Sequence, residues 1–180
     1  MDTASGFLER TIPNFNLPYD ILAPDGAFPV PVRTDSGFKE SYSWYFEDHS
    51  LGQIIIPKTI AVQILVNLLK ELGLENHHKT IIGFSQGGFL APFLAKQSLH
   101  IDKIIGIGCA YRAEAYENLK NLKVFGIHGE DDIIVDFDKA HEGHRNLIQN
   151  GFDGEFAAIK ELGHKMNDAA RAKLIHFITA

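Results

Sequence analysis

A single cysteine, Cys109, is all the sequence offers. No disulfide can form within the chain, so a reducing, cytoplasmic setting is expected. Basic charge is scarce too: 17 lysines and arginines face 23 aspartates and glutamates, a formal net charge of −6. That balance argues against nucleic acid and against a polybasic membrane surface as partners. No apolar run approaches the roughly 20 residues that span a bilayer. The opening Met1-Asp2-Thr3-Ala4-Ser5 lacks the basic and apolar parts of a signal peptide. Neither Gly-x-Gly-x-x-Gly nor Gly-Lys-Ser/Thr occurs, which removes the usual nucleotide-phosphate loops. Repeats, low-complexity tracts and linkers are missing as well. The 180 residues fit one domain, 1–180, with a sizeable core.

What is present is alternation. Strands are expected at Tyr19–Ala23, Thr80–Gly83, Ile101–Ile107, Lys123–Ile127 and Glu155–Lys160. Between them stand helical patterns. Lys58–Leu72 carries apolar residues at helical spacing and stops at Gly73. Gln86 to about Ser98 is a second helix, with Pro92 inside it. Glu114–Leu119, Phe137–Gln149 and Asn167–Ile178 come next. Residues 27–57, rich in Pro, Ser and aromatics, read as a long irregular segment over a surface. Apolar strands alternating with helices imply an α/β fold: a mostly parallel sheet with helices on both faces. Active sites of such sheets lie at the carboxyl ends of the strands.

One of those ends carries a motif. Thr80-Ile81-Ile82 runs into Gly83-Phe84-Ser85-Gln86-Gly87-Gly88 and then an apolar helix start. Gly-x-Ser-x-Gly between a buried strand and a helix is the pattern of a nucleophile elbow. A sharp turn must lift the serine hydroxyl off the sheet, and backbone must pass close by, so side chains there would collide. The serine also sits at a helix N-terminus, where N–H groups favour negative charge. A tight strand-to-helix turn without chemistry is the plainer alternative.

Chemistry would need partners. A serine hydroxyl is a weak nucleophile at neutral pH and requires a histidine base, which a carboxylate orients. In this topology the order is Ser, then Asp or Glu, then His. Lys123–Ile127 runs into His128-Gly129-Glu130-Asp131-Asp132, and the last strand runs into Leu162-Gly163-His164. His164 is the histidine at a strand end beyond the acidic loop. Acidic loops and loop histidines are each usually solvated surface; their placement after the elbow gives them meaning. His141 and His144, three apart on one helix, lack an evident third ligand, so no metal is expected and a solvated helix face is the plain reading. Cys109 reads as a small apolar filler.

Together, Gly-Phe-Ser-Gln-Gly-Gly, His-Gly-x-x-Asp-x-x-Val and Gly-His resemble the phospholipase/carboxylesterase family of α/β-hydrolases. Ala23-Pro24-Asp25-Gly26 and Ser43-Trp44-Tyr45-Phe46 resemble further segments of that family, so the likeness runs from about Asp20 to the C-terminus. The resemblance implies an α/β-hydrolase fold without a cap domain and a serine esterase or thioesterase that needs no cofactor. Its substrate would be a small ester or acyl compound. By motif position Ser85 is the nucleophile, Asp132 the acid and His164 the base. Asp132 is chosen over its acidic neighbours as the fourth residue after His128, which would itself support the turn. Trp44 would line the acyl or alcohol pocket, with core or loop packing as the alternative.

The resemblance also exposes a departure. Family members begin with a central strand ending in His-Gly-x-Gly, whose loop gives one backbone N–H of the oxyanion hole; the residue after the serine gives the other. Gln86 fits the second role. The strand and loop for the first are missing here, and Met1–Leu8 resembles the stretch just beyond His-Gly in the family. Met1 is therefore expected to be an internal start, with about 20 residues upstream, unless Met1 or Asp2 supplies the N–H. If the hole is incomplete, the alternative function is a catalytically impaired hydrolase that binds an acyl ligand or a protein.

Overall fold

The structure is a computed structural model that describes residues 3–12, 19–48 and 50–180. The chain divides into two compact units, Met1–Ile64 and Leu65–Ala180.

The first unit opens with helix α1 (Ala4–Thr11), capped by the Thr3 hydroxyl, which accepts from Gly6 N–H at 3.1 Å. Three small antiparallel ribbons come after it. β1 (Phe28–Pro29) pairs with β4 (Tyr42–Ser43), β2 (Val32–Thr34) with β3 (Gly37–Lys39), and β5 (Phe46–Asp48) with β6 (Gln53–Ile56). The irregular segment expected over 27–57 is thus largely paired. Asp35-Ser36 closes the β2–β3 hairpin as a two-residue turn. Asp48 folds the next one by accepting from Ser50 N–H, Ser50 Oγ and Leu51 N–H. Strands this short show too little alternation to be read from sequence. Conversely, the strand expected at Tyr19–Ala23 does not form. No described strand runs beside it, and Tyr19, Ile21 and Leu22 are exposed; strand preference is expressed only against a neighbour.

Helix α2 (Lys58–Glu71) carries the boundary between the units. It ends as its glycine predicts: Gly73 adopts φ +69°, its N–H bonds to Lys70 O at 3.0 Å, and Leu74 N–H bonds to Leu69 O at 2.8 Å.

The second unit is a four-stranded parallel sheet. Its strands are β7 (Lys79–Phe84), β8 (Ile101–Ile107), β9 (Lys123–Gly129) and β10 (Phe156–Ile159), in spatial order β10-β9-β8-β7. Between them run α3 (Gln86–Ala95), the single turn α4 (Ala113–Tyr116) and α5 (Phe137–Gln149), and α6 (Asp168–Thr179) closes the chain. Side-chain alternation along β8 and β9 assigns the faces. Ile104 and Val124 join Ala91 of α3 and Leu147 of α5 in one core. Phe125 points to the other face, where its ring lies 4.7 Å from that of Phe177 in α6. On that face Lys103, almost wholly buried on β8, donates to Phe177 O at 2.8 Å and Ile178 O at 3.1 Å. It thereby satisfies carbonyls that the end of α6 would leave open. Burial, then the Lys123 charge, lowers the pKa of its ammonium.

Two side chains differ from expectation or confirm it on the α3/α5 face. His144 does not lie on a solvated face: it is buried, donating Nε2–H to Val124 O at 2.8 Å, with its ring edge-on to Tyr111. Ala140, His144 and Leu147 share one helical stripe, and that stripe faces the sheet. Cys109 is buried, and burial pushes its thiol up to about 12, so it stays protonated as an apolar filler.

Burial, outweighing the Val124 bond, lowers the His144 pKa below the ordinary 6.5. The folded state therefore prefers the neutral ring, and the unfolded chain takes up the proton first. The resulting stability is complete above pH 6.5 and is lost as pH falls below it toward the lowered folded value. Urea midpoints measured at about pH 7.5 and pH 5.5 should fall more for the parent than for His144→Gln, which keeps a donor without the titration. Equal falls would contradict this assignment.

Candidate active site

Parallel strands bring all their carboxyl ends to one edge of the sheet, and the loops there are tied together by backbone. Ser85 N–H, just past β7, bonds to Ile107 O at 2.7 Å. Gly108 N–H, just past β8, bonds to Ile127 O at 2.9 Å. Glu130 N–H, just past β9, bonds to Ile159 O, and Asp131 N–H bonds to Leu162 O, each at 3.0 Å.

Ser85 occupies φ 49°, ψ −114°, a region that costs a non-glycine residue about 1–3 kcal/mol. The turn is as tight as the glycines imply: a Cβ on Gly83 would lie 2.5 Å from the Gly87 carbonyl and the Gly88 nitrogen. Gln86 opens α3, where first-turn N–H groups point out along the axis and the helix dipole is positive.

Asp132 is buried at the start of the β9 loop. Its Oδ1 accepts from Ile134 N–H and Val135 N–H, both at 2.9 Å, and its Oδ2 lies 2.7 Å from His164 Nδ1. Burial pushes the Asp132 carboxyl up, but the Val135 N–H, the His164 ring and the Ile134 N–H together outweigh it. The net is a pKa below its ordinary 3.8. A carboxylate can only accept, so His164 Nδ1 carries the proton and Nε2 is left as the basic nitrogen. His128 is buried beneath the same loop and donates Nε2–H to Val135 O at 2.9 Å, which supports the turn.

His164 comes after β10, three strands from β7, a separation of about 14 Å at normal spacing. Its ring nevertheless packs on Phe84, the neighbour of Ser85, with centroids 4.9 Å apart. The loop after β10 must therefore reach back across the ends of β9 and β8. The fold thus brings Asp132 and His164 into contact and sets the His164 ring beside the Ser85 turn. Met1 lies outside the described residues. Trp44 is half-buried between β4 and β5 in the first unit. The Ile134 and Val135 amides and the Phe84 ring were missed by sequence reasoning. Backbone donors carry no sequence signal, though the position of Phe84 beside the serine did.

The phospholipase/carboxylesterase family model matches residues 40–180. This chain belongs to that family of α/β-hydrolases. The match takes in Ser43–Phe46 and every motif from Gly83 to His164, and leaves Ala23–Gly26 outside. Among solved structures the chain is similar to Zea mays acyl-protein thioesterase 2, with TM-score 0.71 and 17% identity over 99% of this chain and 88% of that one. It is also similar to a point variant of Arabidopsis thaliana SOBER1, with TM-score 0.68 and 19% identity over 99% and 93%. Esterase PE8 matches with TM-score 0.65 and 21% identity over 88% and 76%. At these identities the likeness is one of fold. No curated protein matches the chain. The fold class expected from the sequence, a parallel α/β-hydrolase sheet flanked by helices, stands. The segment between β8 and β9 holds the single turn α4.

The tightness of the elbow has a direct consequence. Gly83→Ala should cost about 1–3 kcal/mol, because the new Cβ meets backbone at 2.5 Å rather than a flexible side chain. Thermal melts check this; an unchanged midpoint would contradict the geometry.

Proposed function

We propose that the protein hydrolyses carboxylic esters or thioesters through an acyl-enzyme on Ser85. The observation that carries this reading is the 2.7 Å Asp132–His164 hydrogen bond on a ring packed beside the strained serine. Ser85 Oγ attacks the substrate carbonyl carbon while its proton passes to His164 Nε2. The carbonyl oxygen becomes an oxyanion, which the Gln86 N–H binds. Asp132 stabilises the imidazolium without taking its proton. Collapse breaks the bond to the leaving oxygen or sulfur, which takes the proton from His164. Water then attacks the acyl-Ser85 ester, gives a proton to His164, and releases the carboxylic acid as Ser85 is reprotonated.

The reading includes a small ester or acyl substrate, no cofactor and a cytoplasmic setting. The family resemblance calls for a second backbone N–H in the oxyanion hole beside that of Gln86. A missing donor would cost about 10²–10³ in rate.

Hydrolysis of a short p-nitrophenyl ester tests the reading. Ser85→Ala should lower kcat by about 10³ or more with its melt unchanged, and Asp132→Asn by up to about 10⁴ with a lowered but still cooperative melt. Full activity in Ser85→Ala would refute the assignment. A folded parent without activity would favour an acyl-ligand or protein-binding module.

A further inference from the structure

We infer that Phe84 and Gly108 form a seat for the His164 ring, and that Phe84 stabilises the imidazolium formed when His164 takes the serine proton. This rests on the reading of Ser85, Asp132 and His164 given above. One hydrogen bond to Asp132 leaves an imidazole free to pivot about the Nδ1···Oδ2 line, which would swing Nε2 away from Ser85. Two contacts remove that freedom. The Phe84 ring lies 4.9 Å from the His164 ring, the planes inclined at 48°. Gly108, at φ +56°, brings bare backbone against the same ring: a Cβ there would sit 3.2 Å from His164 Cε1 and 3.3 Å from Nδ1. That Cβ would also lie 3.5 Å from Phe84 Cε2, so the two residues form one corner around the imidazole. His164 is only 17% exposed there.

The choice of an aromatic at 84 has a chemical consequence. A cation within about 6 Å of a ring face is attracted by its quadrupole, more strongly where water is excluded. The neutral imidazole gains little of this, and the imidazolium gains all of it. The contact therefore favours the transition state, in which the proton has moved, over the resting state. A leucine would fill the space without that charge distribution. Phe84 and Gly108 are thus positioning residues acting through His164.

Saturation kinetics of fluorophosphonate labelling test the seat. In that reaction Ser85 Oγ bonds to phosphorus, fluoride leaves, and the proton goes to His164. The full chain is compared with Phe84→Leu, Phe84→Tyr, Gly108→Ala and Ser85→Ala, with melts as folding controls. Phe84→Leu should lower the maximal labelling rate about 10-fold with the half-saturating concentration unchanged. Phe84→Tyr should restore it to within about threefold. Gly108→Ala should lose about 10² by displacing the ring. A folded Phe84→Leu at the parent rate overturns the proposal, as does a Phe84→Tyr equally slow. Should Phe84→Leu not fold, Gly108→Ala at the parent rate does the same. A parent that takes no label, or a Ser85→Ala that labels as fast, removes the nucleophile itself and the seat with it. A parent labelled at Ser85 with equal rates in both Phe84 variants removes the seat alone.

Discussion

The hydrogen bond between Asp132 and His164 joins the loops after β9 and β10, and the geometry of the carboxyl edge hangs on it. A carboxylate as buried as Asp132 is costly unless its lone pairs are occupied. Ile134 and Val135 occupy Oδ1 through backbone N–H groups, and His164 occupies Oδ2. Those bonds keep the folded-state pKa below its ordinary value. The sign is that of stability present above about pH 4 and surrendered as pH falls through the lowered value. The same bonds fix the tautomer of His164. A stability device and a chemical device are therefore one arrangement.

That arrangement works because the sheet supplies a rigid edge. Four parallel strands end together, and each loop leaving them is bonded to the strand or loop beside it. The long reach of the His164 loop from β10 back to the β7 turn is held by the Asp131 N–H bond to Leu162 O as well as by Asp132. The strain at Ser85 is tolerated for the same reason. Gly83 lets the turn close on the start of α3, and the ladder bond from Ser85 N–H to Ile107 O prevents it from relaxing.

Much of this unit was legible in the sequence because buried parallel strands and amphipathic helices leave strong patterns. Ile104-Ile105-Gly106-Ile107 could hardly be anything but a covered strand. Gly73 announces the end of α2. The order of Ser85, an acidic loop and His164 was readable from topology, and the family resemblance picked Asp132 within that loop. The direction of the last loop was not, because sequence spacing counts residues and not the strands a loop crosses. His144 was misplaced although its spacing from Ala140 and Leu147 was a fair signal, since an imidazole is polar by habit. The ribbons of 28–56 are too short for a period to emerge. Tyr19–Ala23 has the composition of a strand without a described neighbour to make it one.

The bond between Asp132 and His164 is open to direct observation by proton NMR. A strong hydrogen bond from Nδ1–H to a carboxylate shifts that proton far downfield of the amide envelope. The expected result is one such resonance in the folded protein, lost in Asp132→Asn and in His164→Gln while the rest of the spectrum keeps its dispersion. A folded protein without the resonance, or one in which it survives Asp132→Asn, would contradict the arrangement on which the proposed chemistry stands.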